Sequence, residues 1–249
     1  MSNQMTESNH SERMRLTATN SELSPVKLAK AAGIAYFLMI INAIFAQYFV
    51  RETLIIPGNA IKTATNITDS EMLFRMAVAA YLIILTLDVL LAWLFYILFK
   101  PVNKDLALLS SIFRLIYSAI NGINQVFFLL ALEVLGDADY MTALGPGQSQ
   151  ALAMTFLNIA EYGFIIGLTF FGFHLAILGY IVLKSDYFPK IIGIGVIVAG
   201  IGYILDNYTT IIFADNAEII SMILMLPMVI REAGFALWLL IKGIKASEL

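Results

Sequence analysis

Between Leu106 and Leu135 the chain is apolar enough to cross a bilayer, yet Ser111, Arg114, Ser118, Asn121 and Gln125 recur through it at spacings of three, four, three and four. Residues three and four apart lie above one another on an α-helix, so this rhythm gathers all five on one face. Leu, Ile, Phe, Ala and Val are left to the other face. An arginine about two to three turns into hydrocarbon costs roughly 2.5–3.5 kcal/mol on insertion scales unless it snorkels, pairs or meets water. A helix patterned this way must turn its polar stripe toward other helices, and those helices must supply partners.

Composition places those other helices in the membrane too. Of 249 residues, 60% are hydrophobic and 13% charged, against about half and about a quarter in soluble domains. Apolar stretches at 31–50, 73–99, 106–135, 151–183, 191–213 and 218–241 account for nearly everything beyond residue 24, each long enough to span a bilayer. The expected fold is all-α: a polytopic integral membrane bundle of six transmembrane helices over residues 25–245. Residues 1–24 are polar, with no apolar core, and are expected to be a disordered cytoplasmic tail and not a signal peptide. The chain has no cysteine, which excludes disulfides and thiolate chemistry, and its two histidines, His10 and His174, are too few for a histidine-rich metal centre. No metal and no cofactor is expected. A basic face or stacking array for nucleic acid is also missing.

The basic residues set an orientation. With both termini cytoplasmic, that side holds Arg13, Arg15, Lys27, Lys30, Lys100, Lys104, Lys184, Lys190, Lys242 and Lys245, while the far side holds Arg51, Lys62 and Arg75. This is a positive-inside bias and requires an even number of spans. Several local features are expected along the way. Pro57-Gly58 reads as a turn, 59–66 as a short interfacial helix, Thr68-x-x-Glu71 as a capping box and Asp105 as a cap for the third span. As one helix, 151–183 would be about 50 Å long against a hydrocarbon thickness near 30 Å, so a surface segment bending at Gly163 is favoured over a tilted, overhanging helix. Pro227 should kink the last span. Glycines at 193, 195, 200 and 202 should let neighbouring backbones approach closely.

Ionisable groups left inside the membrane are the candidates for function. They are Asp88, Arg114, Glu161, Arg231 and Glu232. Arg114 with Asp88 is the preferred pair, because a short turn joins their antiparallel spans at similar depth. Tyr81 and Asp88, seven apart, share a face. Asn158 and Glu161 share a face of the fourth span that His174 does not, and His174 reads as a hydrogen-bonded packing residue unless another helix brings it a carboxylate. Asn121 and Gln125 complete the third span's stripe, and Asp206 lies near the outer end of the fifth. Two cations and three acids converging in one bundle favour a protonated acid or a bound cation.

The sequence also resembles a known bacterial multi-pass membrane family, catalogued as domain of unknown function 4386, over roughly residues 27–243. The matching stretches are Arg51-Glu52-Thr53-Leu54-Ile55-Ile56-Pro57-Gly58, Phe74-Arg75, Pro101-Val102-Asn103 with Leu106-Ala107 and Phe113-Arg114, and Leu144-Gly145-Pro146-Gly147-Gln148. Further matches are Phe170-Phe171-Gly172-Phe173-His174 with Gly179-Tyr180, and Gly202-Tyr203-Ile204-Leu205-Asp206. A His often stands in that family near the position of Glu161, and this departure weakens any metal-site reading. The resemblance implies a prokaryotic plasma-membrane protein and no particular activity. From the residues, the leading function is binding or transport of a small solute or lipid through a polar intramembrane cavity. An intramembrane enzyme using buried carboxylates lacks any HExxH, paired metal-binding aspartates or serine elbow, and a structural or regulatory subunit would need only a sealed network. Expected partners are membrane lipids and a small-molecule or lipid ligand.

Overall fold

Apolar helices dominate the chain, and the polar turns between them are short. The computed structural model describes residues 24–136, 144–213, 221, 224 and 232–244. Expectations for the N-terminal tail, for Pro227 and for Arg231 fall outside the described residues. Five helical stretches are long and apolar enough to cross a membrane: Pro25–Leu54, Glu71–Phe99, Lys104–Leu135, Pro146–Lys184 and Lys190–Ile212. A shorter apolar helix, Glu232–Ile241, follows.

The first stretch starts where Ser24 accepts from the Lys27 amide at 3.4 Å and Pro25 occupies the first turn, where its missing N–H costs nothing. It runs as α1 (Pro25–Ile44), widens into π-helical turns over Phe45–Arg51 and ends as α2 (Glu52–Leu54). After the Pro57-Gly58 turn, with Gly58 at φ 73°, α3 (Ala60–Asp69) is capped by Asn59 and buries Thr63, Ala64 and Ile67. It packs on the helices that follow. Asn66 donates to the Leu54 carbonyl at 3.2 Å, and Thr63 bonds both the N–H and the carbonyl of Ile56. The connection is therefore a docked amphipathic helix.

Two sequence-based caps are corrected. Thr68 lies inside α3 and donates to the Ala64 carbonyl, so it opens no capping box; α4 (Glu71–Phe99) begins after Ser70 with no side-chain cap. For α5 (Lys104–Leu135) the cap is Asn103, which accepts from the Leu106 amide at 2.9 Å, and Asp105 sits in the first turn. There its charge suits the helix dipole.

The fourth stretch is a single helix, α6 (Pro146–Lys184), of 39 residues and without a break at Gly163. At 1.5 Å per residue it is about 58 Å long, so it overhangs the hydrocarbon. Gly163 does not interrupt it, and that glycine serves packing, the Asn124 side chain of α5 filling the place of its missing Cβ. Helix α6 also packs along α7 (Lys190–Ile212), the two backbones meeting at small residues. A Cβ on Gly193 would sit 2.6 Å from the Leu183 amide nitrogen, and one on Gly200 2.5 Å from that of Ala176. Gly33 of α1 makes the same kind of approach, to Leu240 of α8 (Glu232–Ile241).

Around the polar interior the core has two parts. One, toward the Lys100 and Lys184 turns, is aromatic: Tyr36, Phe95, Phe99, Phe188 and Phe235 pack at centroid distances of 5.8–6.4 Å. The other, toward Arg51 and α3, holds Ala46, Val50, Ile67, Phe74, Phe128 and Leu157. Large apolar side chains such as Ile34, Phe49, Leu82, Ile123 and Ile211 are exposed on the outside, which suits contact with lipid.

Because the Gly200 contact is with backbone, relief requires the helices to part. Gly200→Val should lower stability by about 1–3 kcal/mol, read as a lower unfolding midpoint in micelles, whereas Gly147→Ala, with nothing within 4 Å, should leave it unchanged or raise it.

Candidate functional site

All five polar residues of the α5 stripe are buried; Ser111 donates to the Ala92 carbonyl of α4 at 2.9 Å, and Arg114 on one side and Asn121 with Gln125 on the other take separate tasks. The half nearer the Lys100 turn builds a charged cluster. Arg114, 0% exposed, donates through Nη2 to Asp88 Oδ1 of α4 at 2.5 Å. Nη1 lies 3.0 Å from Nε2 of His174, on α6. An arginine can only donate, so Nε2 must offer its lone pair and the ring proton must sit on Nδ1. That placement agrees with the other side of the ring, where Nδ1 lies 3.0 Å from the Ser110 carbonyl and 2.9 Å from its Oγ. The Ser110 hydroxyl then donates to the His174 carbonyl at 3.2 Å.

Ring faces enclose the guanidinium. Its Cζ lies 5.4 Å from the Tyr36 centroid, 5.8 Å from Phe95 and 5.3 Å from Phe171, and Met39 Sδ is 3.6 Å from Nη2. Two charges in hydrocarbon cost about 2.5–3.5 kcal/mol each. Their attraction at about 4 Å is worth about 4 kcal/mol at an effective dielectric near 20. The pair alone therefore falls short. The charged hydrogen bond to His174 (about 1.5–3 kcal/mol) and ring contacts of about 0.5–2 kcal/mol make up the difference.

Tyr36 leads on to a second carboxylate. Its hydroxyl donates to Glu232 Oε1 at 2.6 Å, and that of Tyr203, on α7, donates to Oε2 at 3.0 Å. Glu232 opens α8, so the cluster joins α1, α4, α5, α6, α7 and α8.

The other half of the stripe is a packing seam. Asn121 donates to the Tyr117 carbonyl, Gln125 to the Asn121 carbonyl and Asn124 to Asn121 Oδ1, all within α5. Asn121 and Asn124 fill the spaces beside Gly167 and Gly163 of α6. Asn158 and Glu161 do not join the cluster; both are exposed. Glu161 pairs with Arg51, whose guanidinium is flanked by Phe128 at 5.8 Å and Phe164 at 5.5 Å. The long, overhanging α6 carries Glu161 about 20 Å along its axis from His174, out of reach of Arg114. Asp206 is half-buried and accepts from Ser221 at 2.5 Å, separate from the cluster.

A cavity of ≈ 370 Å³ stands over the cluster. Asp88, Glu232, Tyr117, Tyr203 and Phe171 lie at its inner part, Tyr81, Ile84, Leu168 and Phe164 along its wall, and Gln47, Tyr48 and Glu52 at its rim. Tyr48 and Glu52 are exposed, so the opening faces the α2 end, while the aromatic packing closes the opposite end. The π-helical turns of the first stretch supply Gln47 and Tyr48; such turns often mark functional sites because they redirect side chains. Tyr36 and Ser110 escaped the sequence reading. A tyrosine in mid-span instead of at an interface was the one available signal. Among the described residues no group of His, Asp and Glu could hold a metal ion.

Fold and site together define a multi-pass helical membrane protein with a buried ionic cluster beneath an intramembrane cavity. The chain belongs to the family described as Domain of unknown function (DUF4386), whose model matches residues 31–243. It is similar to a protein of Archaeoglobus fulgidus described as "Uncharacterized protein", 36% identical over 172 residues that cover 69% of this chain and 86% of that one. No solved structure matches.

Breaking the pair should be worse than removing it. Asp88→Leu, which strands the buried guanidinium, should cost about 3–5 kcal/mol, and adding Arg114→Met should recover much of that loss. Unfolding curves of both single variants and the double variant in the same detergent check this; additive losses would argue against the coupling.

Proposed function

We propose that this protein binds a small molecule in the cavity above Asp88 and Glu232 and transports it across the membrane. The single observation that carries the reading is that the buried Asp88 and the half-buried Glu232 line a space of ≈ 370 Å³ with an exposed rim. A network serving only to lock helices together needs no such space. Pockets of about 300–1,000 Å³ with apolar walls and a few convergent polar groups are the usual form of a small-molecule site. Among the described residues the aromatic packing of Tyr36, Phe95, Phe99 and Phe235 closes the end opposite the exposed rim. Passage to the other side would require those rings to part.

The same proposal includes a sixth span completed by residues 218–241 and both termini in the cytoplasm of a prokaryotic cell, with the cavity opening outward. The ten basic residues on the Lys100 side against three on the other support that orientation. The carboxylates are read as ligand contacts and not as general acids or bases, since the cluster's one serine, Ser110, meets the protonated Nδ1 of His174, donates to the His174 carbonyl and does not line the cavity.

A chain without native cysteine allows a clean test. Maleimides react with the thiolate, which forms where water reaches the sulfur and not in a dry apolar core. In membranes, Ile84→Cys on the cavity wall should label at least about tenfold faster than Leu91→Cys in the dry core. Equal protection of the two would contradict a wet cavity. Lys104→Cys should label only from the cytoplasmic side.

A further inference from the structure

The cavity's lining selects the charge of what it holds. It presents three carboxylates, Glu52 at the rim and Asp88 and Glu232 at the inner part, and among the described residues no Lys, Arg or His lines it. Arg114 is hidden behind Asp88 and spends its terminal nitrogens on Asp88 Oδ1, His174 and Met39. Asp88 has an oxygen to spare: the residue is 1% exposed, and its Oδ2 has no hydrogen-bond partner. A buried acceptor left unpaired costs about 1–3 kcal/mol, more when charged, so its persistence beside a cavity asks for a donor from outside the chain. Glu232 has two tyrosine donors and no cation within ion-pair distance among the described residues. Counting Asp88, Glu232 and Arg114, the described cluster carries one more acidic than basic group.

Aromatic faces add to the same preference. Tyr81, Tyr117, Phe164, Phe171 and Tyr203 surround the space, and ring faces attract cations and not anions. The remaining wall, with Ile40, Ile84 and Leu168, suits an apolar body and gives nothing to a hydrated metal ion. Resting on the reading of the cavity as a ligand site, we propose that it takes a lipophilic organic monocation, an ammonium carried on an apolar group. A donating ammonium would satisfy Asp88 Oδ2 directly. A quaternary one would neutralise the excess carboxylate and lie against the rings.

The test compares three molecules of similar shape. Benzyltrimethylammonium is the cation, neopentylbenzene its uncharged isostere and benzylsulfonate the anion. Binding of radiolabelled benzyltrimethylammonium to the full-length chain in nanodiscs is measured against empty discs, with each unlabelled compound as competitor. Saturable binding is expected, with the unlabelled cation competing at a concentration at least about tenfold below either of the others. Glu232→Gln should weaken binding by about tenfold or more, and Leu168→Trp, which fills the space without changing charge, should abolish it. Asp69→Asn, on the exposed side of α3, should leave it unchanged. Size-exclusion profiles and thermal melts show whether each variant is folded; if Glu232→Gln is not, Leu168→Trp carries the comparison.

Equal competition by the neutral isostere, tighter binding of the anion, or binding retained in folded Glu232→Gln or folded Leu168→Trp overturns the proposal. Absence of saturable binding by the cation overturns it as well. In that case a reactive Ile84→Cys leaves the ligand cavity standing with a different occupant, and an unreactive one removes both readings.

Discussion

An arginine that lipid cannot tolerate organises this molecule. Arg114 is completely buried, and what keeps it there comes from three other helices: a carboxylate from α4, an imidazole acceptor from α6, and a thioether and tyrosine ring from α1. None of these partners suffices alone against the cost of placing charge in hydrocarbon. Burial of the guanidinium therefore fixes the relative depth and rotation of the helices that carry them. His174 is held in one tautomer by the same bond, because Nε2 must accept from the guanidinium while Nδ1 meets Ser110.

Small residues and aromatic rings do the rest of the positioning. Close backbone approach along α6 and α7 brings Tyr203 near Phe171 and so near the cluster. Gly33 lets α8 lie against α1, which places Glu232 within reach of Tyr36 and Phe235 between Tyr36, Phe95 and Phe188. With that end packed by rings, the rim of the space above Asp88 lies toward α2. A second ionic contact, Arg51 with Glu161, stands near the rim between the first stretch and α6. Charge is thus arranged at two depths, one beneath the cavity and one close to the surface.

Periodicity made the α5 stripe and the Asp88–Arg114 pair legible, because both depend on helix geometry and on a short turn that sets depth. Five of the six expected stretches are helices long and apolar enough to cross a membrane, and half of the remaining one lies outside the described residues. The Glu232 contacts could not be read in the same way. Tyr36 and Glu232 are 196 residues apart, and no local pattern joins them. For α6 the difficulty was length. A face shared by Asn158, Glu161 and Gly172 runs from the exposed overhang into the packed core of one unbroken helix, so residues on one face meet different surroundings. Gly163 misled for a related reason: a glycine that makes room for a neighbour's side chain looks, in sequence, like one that permits a bend.

The charged interior depends on the guanidinium facing Asp88 and not the acyl chains. Dipolar recoupling between guanidinium ¹⁵N and aspartate ¹³Cγ, recorded on labelled protein in bilayers, addresses that directly. A coupling corresponding to a separation within about 4 Å is expected for a hydrogen-bonded pair, and it should vanish in Asp88→Asn. Absence of that coupling, with Arg114 instead showing cross-peaks to lipid acyl protons, would contradict the account at its root.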